Sequence, residues 1–365
     1  MMTRLLPTVL LLALGSPSYA ALAAAADLLR LRFGISAARA DEAEAKMLPP
    51  QVENFDAIRA KENIHLLQDT LGLSDANVLR MTLRFPSLMA YRTSTVSDAI
   101  KILRERLKCS GVEARKIFLA QPAVLGYNFE PSLAVLQRRY ELDDDELRKM
   151  AVTFPSLLGL SFDDNIAPTC TALQRRLRLS DLELRKVLVR RPSFLGLSLE
   201  DTLLPALDAL EARLGLGHQQ SGASAAEGTC DDLRHIVVGF PQVLGLSFED
   251  NLEPSLDRLQ TRLRLSDAEL SRLVMRMPAV LGYNWKSNLA KLDWLQAEFE
   301  LSPVELKERV CRLPALLGYS IEGRYKPRLR QARGANLADE RVLSTIAWSP
   351  ARFEKAIAQA ESVGS

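Results

Sequence analysis

The sequence predicts an all-α protein built from tandem repeats. Three observations carry that reading: a recurrent proline, a helix cap at a constant distance before it, and leucines spaced to line one helical face. Prolines recur at Pro86, Pro122, Pro155, Pro192, Pro241, Pro278, Pro314 and Pro350, at intervals of 36, 33, 37, 49, 37, 36 and 36 residues. A period in this range belongs to solenoids, whose units are too small to bury their apolar faces alone. The composition agrees, because 47% of the 365 residues are hydrophobic and only 6% aromatic, a balance that favours packed helices over sheet. The single long interval contains a polar, low-complexity stretch over 217–228, read as an exposed loop inserted into a regular repeat.

The first helix of each repeat is marked at both ends. Twelve residues before the first seven prolines stand Ser74, Ser110, Asp143, Ser180, Thr229, Ser266 and Ser302. An acid follows three positions later in most copies: Glu113, Glu146, Glu183, Asp232, Glu269 and Glu305. The cap oxygen accepts an orphan N–H of the first turn while the carboxylate reaches back to the cap, and Pro303 at a first helical position adds to the signal. A helix of about three turns therefore begins at each cap and ends near the proline, which has no N–H to continue it.

A second constant block follows each proline, as in Pro122-Ala-Val-Leu-Gly126-Tyr-Asn128 and Pro192-Ser-Phe-Leu-Gly196-Leu-Ser198. The proline starts a short helical turn, the glycine ends it in a left-handed or tightly packed conformation, and Ser or Asn caps the next helix. Asp164, Asp201 and Asp250, three residues past Ser161, Ser198 and Ser247, repeat the capping logic. The first copy is degenerate, with Ala90 and Arg92 at the glycine and cap positions. In the second helix Leu203, Leu207, Leu210, Leu214 and Leu216, and likewise Leu252, Leu256, Leu259, Leu263 and Leu265, keep one face apolar.

The scattered cysteines (Cys109, Cys170, Cys230, Cys311) and histidines (His65, His218, His235) have no metal-ligand or redox spacing. No nucleophile set or phosphate loop appears, so the expectation is a protein that is not an enzyme, with no cofactor, no metal and no small-molecule substrate. At the N-terminus Arg4 precedes an apolar run over 5–14 that ends near Ser18-Tyr19-Ala20, in the manner of a signal peptide. Residues 21–40 are rich in Ala and Arg, as transit peptides are. The domain expectation is thus a cleavable presequence over 1–40 (signal-like 1–20, transit-like 21–40), a linker over 41–54, repeats over 55–350 and a tail over 351–365. The bipartite presequence favours a plastid address, with a mitochondrion second, and leaves no integral membrane segment after its removal; the run over 5–14 is itself too short to span a bilayer.

A repeat of about 36 residues with a Pro-x-Leu-Leu-Gly-Tyr/Leu-Ser block and a Leu-Ser-x-x-Glu helix start resembles the mitochondrial transcription termination factor (mTERF) repeat, from about residue 55 to residue 350. The resemblance implies a right-handed superhelical solenoid of about eight repeats, each of two α-helices and a short turn. It further implies a monomer holding double-stranded DNA or structured RNA in a positive groove, with roles in organellar transcription termination, intron splicing or ribosome biogenesis.

The net charge is only +2, so a polyanion partner has to be argued from the arrangement of cations. Four residues before the cap position lies one row, Arg106, Arg139, Arg176, Arg213 and Arg262; two residues before the proline lies another, Arg84, Arg190, Arg276 and Arg312. Repeating a position along a solenoid gives a line of charge suited to a phosphate backbone. The alternative for the first row is a solvated flank with stems over the leucine stripe, and for the second a favourable helix C-terminus. Pairs such as Arg115-Lys116, Arg148-Lys149 and Arg185-Lys186 read mainly as solvated faces. The densest cluster is Arg324, Lys326, Arg328, Arg330 and Arg333. A helical scaffold for protein–protein contacts remains the competing function, since near-neutral charge suits it equally.

Overall fold

The computed structural model describes residues 24–216, 225–335, 342, 343, 345 and 348–363. The signal-like segment 1–20 and residues 217–224 of the expected insertion lie outside the described residues. Every regular element among the described residues is helical, so the fold is an all-α repeat. The chain forms two compact units, Met1–Thr169 and Cys170–Ser365, divided within the helix Ala167–Leu177.

In the first unit the first helices are Asp75–Arg84, Gly111–Ala120 and Asp144–Thr153; in the second they are Asp181–Arg190, Ala225–Gly239, Asp267–Arg276 and Pro303–Arg312. Ser110, Asp143, Ser180, Ser266 and Ser302 each form a reciprocal capping box with the glutamate three residues on, and Ser74 accepts the Asn77 N–H. Each proline then opens a 3-10 turn, as in Pro122–Gly126 and Pro278–Gly282. Ser161, Ser198 and Ser247 cap as expected, but the element they start is one wide turn of π type before the second helix proper. In it the Ile166 N–H reaches back five residues to the Ser161 carbonyl at 3.1 Å. The leucine stripes face inward, with Leu203 and Leu252 both 1% exposed and Leu259 fully buried.

Of the two conformations open to the block glycine, the structure adopts the tightly packed one. Neither Gly126 nor Gly282 has positive φ. A Cβ on Gly126 would stand 2.2 Å from Cζ of Tyr91, and one on Gly282 would stand 2.3 Å from Cζ of Phe240. Each ring comes from the preceding repeat and lies on the bare backbone of the next. The left-handed position lies elsewhere, at the end of the second helices: Gly72, Lys108, Glu141, Arg178, Arg264 and Glu300 two residues before a cap, and Gly215 ahead of the insertion, the five non-glycine residues with φ of 48–52°. These residues end the second helices, and Leu265 and Leu301 N–H close the ends onto Gln260 and Gln296 carbonyls at 2.9 Å.

Three segments differ from expectation. The helix Ala225–Gly239 starts inside the expected insertion and carries Thr229 within it, because Ala225-Ala226-Glu227 are strong helix formers that extend the helix upstream. The 351–365 tail lies largely in a helix, Pro350–Val363, anchored by Phe353, which is 3% exposed. The transit-like segment and the linker fold as well. Ala25–Phe33 and Ala37–Glu44 form a helical pair, followed by the short helix Pro49–Glu53. Leu28, Leu29 and Ala40 are fully buried, and the Ala26 N–H donates to the Glu44 carboxylate at 2.7 Å. Arg32 grips Asp75 of the first repeat at 2.7 and 3.1 Å. Alanine and leucine at helical spacing serve a transit peptide and a packed hairpin alike, and composition alone does not separate them.

Two measurements follow. A chain lacking residues 1–44 should melt several degrees below one lacking residues 1–23, since buried leucines are worth roughly 1.5–3 kcal/mol each; equal melting temperatures would show that the pair is not part of the fold. Glu300→Gly should raise stability by about 0.5–1 kcal/mol in denaturant unfolding, because glycine adopts the left-handed position without the side-chain clash, a gain reduced by its greater unfolded-state entropy.

Candidate nucleic-acid interface

The arginines expected to line a groove stand at the ends of successive second helices, and four of them are engaged by the second helix that follows. Arg106 lies 3.0 Å from Glu130 and 3.1 Å from Asp144, and also donates to Gln137. Arg176 lies 2.7 Å from Asp208 and 2.5 Å from Glu211. Arg213 reaches Asp257 at 2.7 Å and Gln260 at 2.6 Å, and Arg262 reaches Asp293 and Gln296, both at 2.8 Å. The glutamines extend the network, since Gln137 donates to Asp144 at 3.0 Å and Gln260 to Asp267 at 2.7 Å. Gln137, Arg106 and Lys108 together hold the Asp144 carboxyl below its ordinary range. Arg139 lies over the Tyr140 ring, 5.1 Å from its centroid. The row is therefore a set of inter-repeat joints whose charge is largely answered within the protein. Reading positions one repeat at a time concealed this, because every carboxylate partner lies at least 24 residues away.

The second row is disposed differently. Arg84, Arg190, Arg276 and Arg312 are exposed at the last residue of their helices, and among the described residues no carboxylate pairs with them. Arg276 donates to the carbonyls of Cys311 and Arg312 at 2.7 and 3.2 Å, two neutral acceptors at the end of the next first helix. In the C-terminal cluster, Arg324 and Arg328 both donate to the Trp348 carbonyl at 2.7 Å while lying over the rings of Tyr319 and Phe353. Lys326 pairs with Glu322 and Arg333 with Glu298, and Arg330 is exposed. Much of this cluster thus holds the C-terminal segment in place.

A third row includes the lysines of the Arg-Lys pairs, read in the sequence mainly as solvated faces and not as a row of their own. Six residues past the first six cap positions stand Arg80, Lys116, Lys149, Lys186, His235 and Arg272, all exposed, while the seventh copy carries the exposed acid Glu308 there. Apolar residues four, seven and eight past the cap, such as Ala114, Ile117 and Phe118, are fully buried. That burial turns the sixth and tenth positions outward on one stripe, since residues four apart share a helical face. Exposed Val112, Leu182 and Val304, two past the cap, continue the stripe. A helical wheel over the capped segments would have separated the Arg-Lys pairs, because their two members point differently. The arginine, one position earlier, turns back: Arg115 Nε donates to the Leu71 carbonyl at 2.9 Å, and at the same position Lys307 lies 3.3 Å from the Arg264 carbonyl and 2.7 Å from Glu269.

Glu269 joins two repeats through Lys307 and Ser266, and those partners, Lys307 first, lower its pKa from 4.5 to about 2. A carboxylate with a depressed folded-state pKa stabilises the protein above its ordinary value, and that contribution is lost as pH falls toward the folded value. Glu269→Gln should therefore lower the melting temperature at neutral pH and reduce the further loss between about pH 5 and pH 2. Parallel melting curves for wild type and variant across that range would refute the assignment.

Comparison with family models matches residues 131–263 and 228–354 to mTERF, together more than half of the chain. No curated protein matches the chain. With capped first helices, proline-initiated turns and second helices recurring through both units, the chain belongs to the mTERF family.

Proposed function

We propose that this protein binds the phosphate backbone of double-stranded DNA or structured RNA in an organelle, and acts there in gene expression. Membership in the mTERF family supports an organellar nucleic-acid-binding role. The observation that carries the reading is the exposed stripe of first-helix cations, Lys186, Arg190, Arg272, Arg276 and Arg312 in the second unit and Arg80, Arg84, Lys116 and Lys149 in the first. A cation without an internal counter-charge releases counterions when it meets a phosphate, whereas one already paired with a carboxylate must first exchange a partner. Backbone contact of this kind positions the protein and tolerates sequence variation. Termination, splicing and ribosome assembly all remain compatible with such contact. The same reading keeps residues 1–20 as a leader, but cleavage at residue 40 would discard the buried pair Leu28 and Leu29, so the transit-like half of the 1–40 presequence drops out, and with it the preference for a plastid over a mitochondrion. No described helix is long and apolar enough to cross a membrane.

The test is binding of labelled duplex DNA and hairpin RNA over a salt series. Affinity should fall linearly with salt on logarithmic axes. The triple change Lys186→Glu, Arg190→Glu and Arg272→Glu should weaken it at least tenfold with unchanged circular dichroism. Absence of any salt-dependent binding would favour a protein-binding scaffold, and undiminished binding by the triple variant would remove the stripe from the interface.

A further inference from the structure

In the first unit the helices Asp75–Arg84 and Gly111–Ala120 lie side by side, and an open groove of about 620 Å³ runs between them. Its polar lining is Arg80, Arg84, Arg115 and Lys116, and its apolar lining is Val112, Leu119 and Ala120. Four cations and no carboxylate line the groove. The nearest acid on the same helix, Glu113, is committed to the Ser110 N–H and hydroxyl, both at 2.8 Å.

What separates these cations from the joint arginines is how they are held. Arg115 is fixed by the Leu71 carbonyl and lies against the backbone of Gly72, where a Cβ would stand 2.9 Å from its Nη2. Arg80 donates to the Asn77 amide oxygen at 3.2 Å. Both are oriented by neutral acceptors, so they are positioned without losing their field. Arg84 and Lys116 are exposed and no described carboxylate lies within ion-pair distance of either, Glu113 acting on Lys116 only through its longer-range field. Preorganised positive charge beside exposed apolar side chains suits a phosphodiester segment, with its phosphates on the cations and its sugar faces against Val112, which is 73% exposed.

We infer that this groove is the principal phosphodiester anchor of the first unit, binding without regard to base sequence. The inference rests on the proposed nucleic-acid function. Its test compares two double variants of the full chain, Arg84→Ala with Lys116→Ala in the groove, and Lys149→Ala with Lys186→Ala on the open stripe. The probe is a labelled random-sequence DNA duplex, with a hairpin RNA in parallel. The groove pair should lower affinity at least tenfold at low salt and reduce the logarithmic salt slope by about two units. The stripe pair, removing the same charge, should have a clearly smaller effect, and both should melt with wild type because the altered side chains are exposed. Equal losses from the two pairs would overturn the groove as a privileged site and leave backbone binding intact. A wild-type slope in the groove pair would do the same, whereas failure of the wild-type chain to bind either probe would overturn the nucleic-acid reading itself.

Discussion

A two-helix repeat cannot bury its own apolar face, and the need to seat each repeat on the next governs the rest of this structure. The closest seating is at the proline turn, where the backbone of Gly126 or Gly282 takes a ring from the preceding repeat. Any side chain at those glycines would displace a partly buried aromatic ring that lies directly against their backbone. The buried residues of the first helices, Leu147 and Met150 among them, and the leucines of the second complete the same surface. Stability of such a stack is approximately a sum of repeat and nearest-neighbour terms. Residues at the joints are therefore held by pairing as well as by function.

That requirement divides the cations into two populations. Arg106, Arg176, Arg213 and Arg262 sit where one second helix meets the next, half-buried, and a carboxylate there avoids leaving a desolvated guanidinium unanswered. Ion pairs that keep this much solvent contribute at most about 1 kcal/mol each, so they set register more than they supply stability. Lys116, Lys149, Lys186 and Arg272 are exposed on the first helices, and among the described residues no carboxylate lies within ion-pair distance of them. A near-neutral total hides this division. Acids at the caps and joints balance the cations in number without neutralising them in place.

The ends of the repeat array obey the same constraint, because an end repeat has one apolar face with no further repeat to cover it. At the N-terminal end the pair Ala25–Phe33 and Ala37–Glu44 supplies buried leucines and the Arg32–Asp75 clasp. Near the C-terminus Arg324 and Arg328 converge on the Trp348 carbonyl and Phe353 is buried, so a cluster that looks like free charge in one dimension is in part an anchor for the last helix.

The sequence by itself determined the period, the caps, the proline turns and the leucine faces, because each is set by interactions within about a dozen residues and recurs in nearly every copy. It also marked the block glycines, although only packing chose close approach over a left-handed turn, since the ring that demands the space comes from another repeat. The non-glycine left-handed residues Lys108, Glu141, Arg178, Arg264 and Glu300 had no compositional sign, because the helix-end hydrogen bonds and the burial of the following residue impose that conformation on whatever stands there. Which arginines face outward was decided by tertiary structure alone. A row of like positions is equally a groove lining or a set of joints until the carboxylate one repeat away is brought to within 3 Å of it.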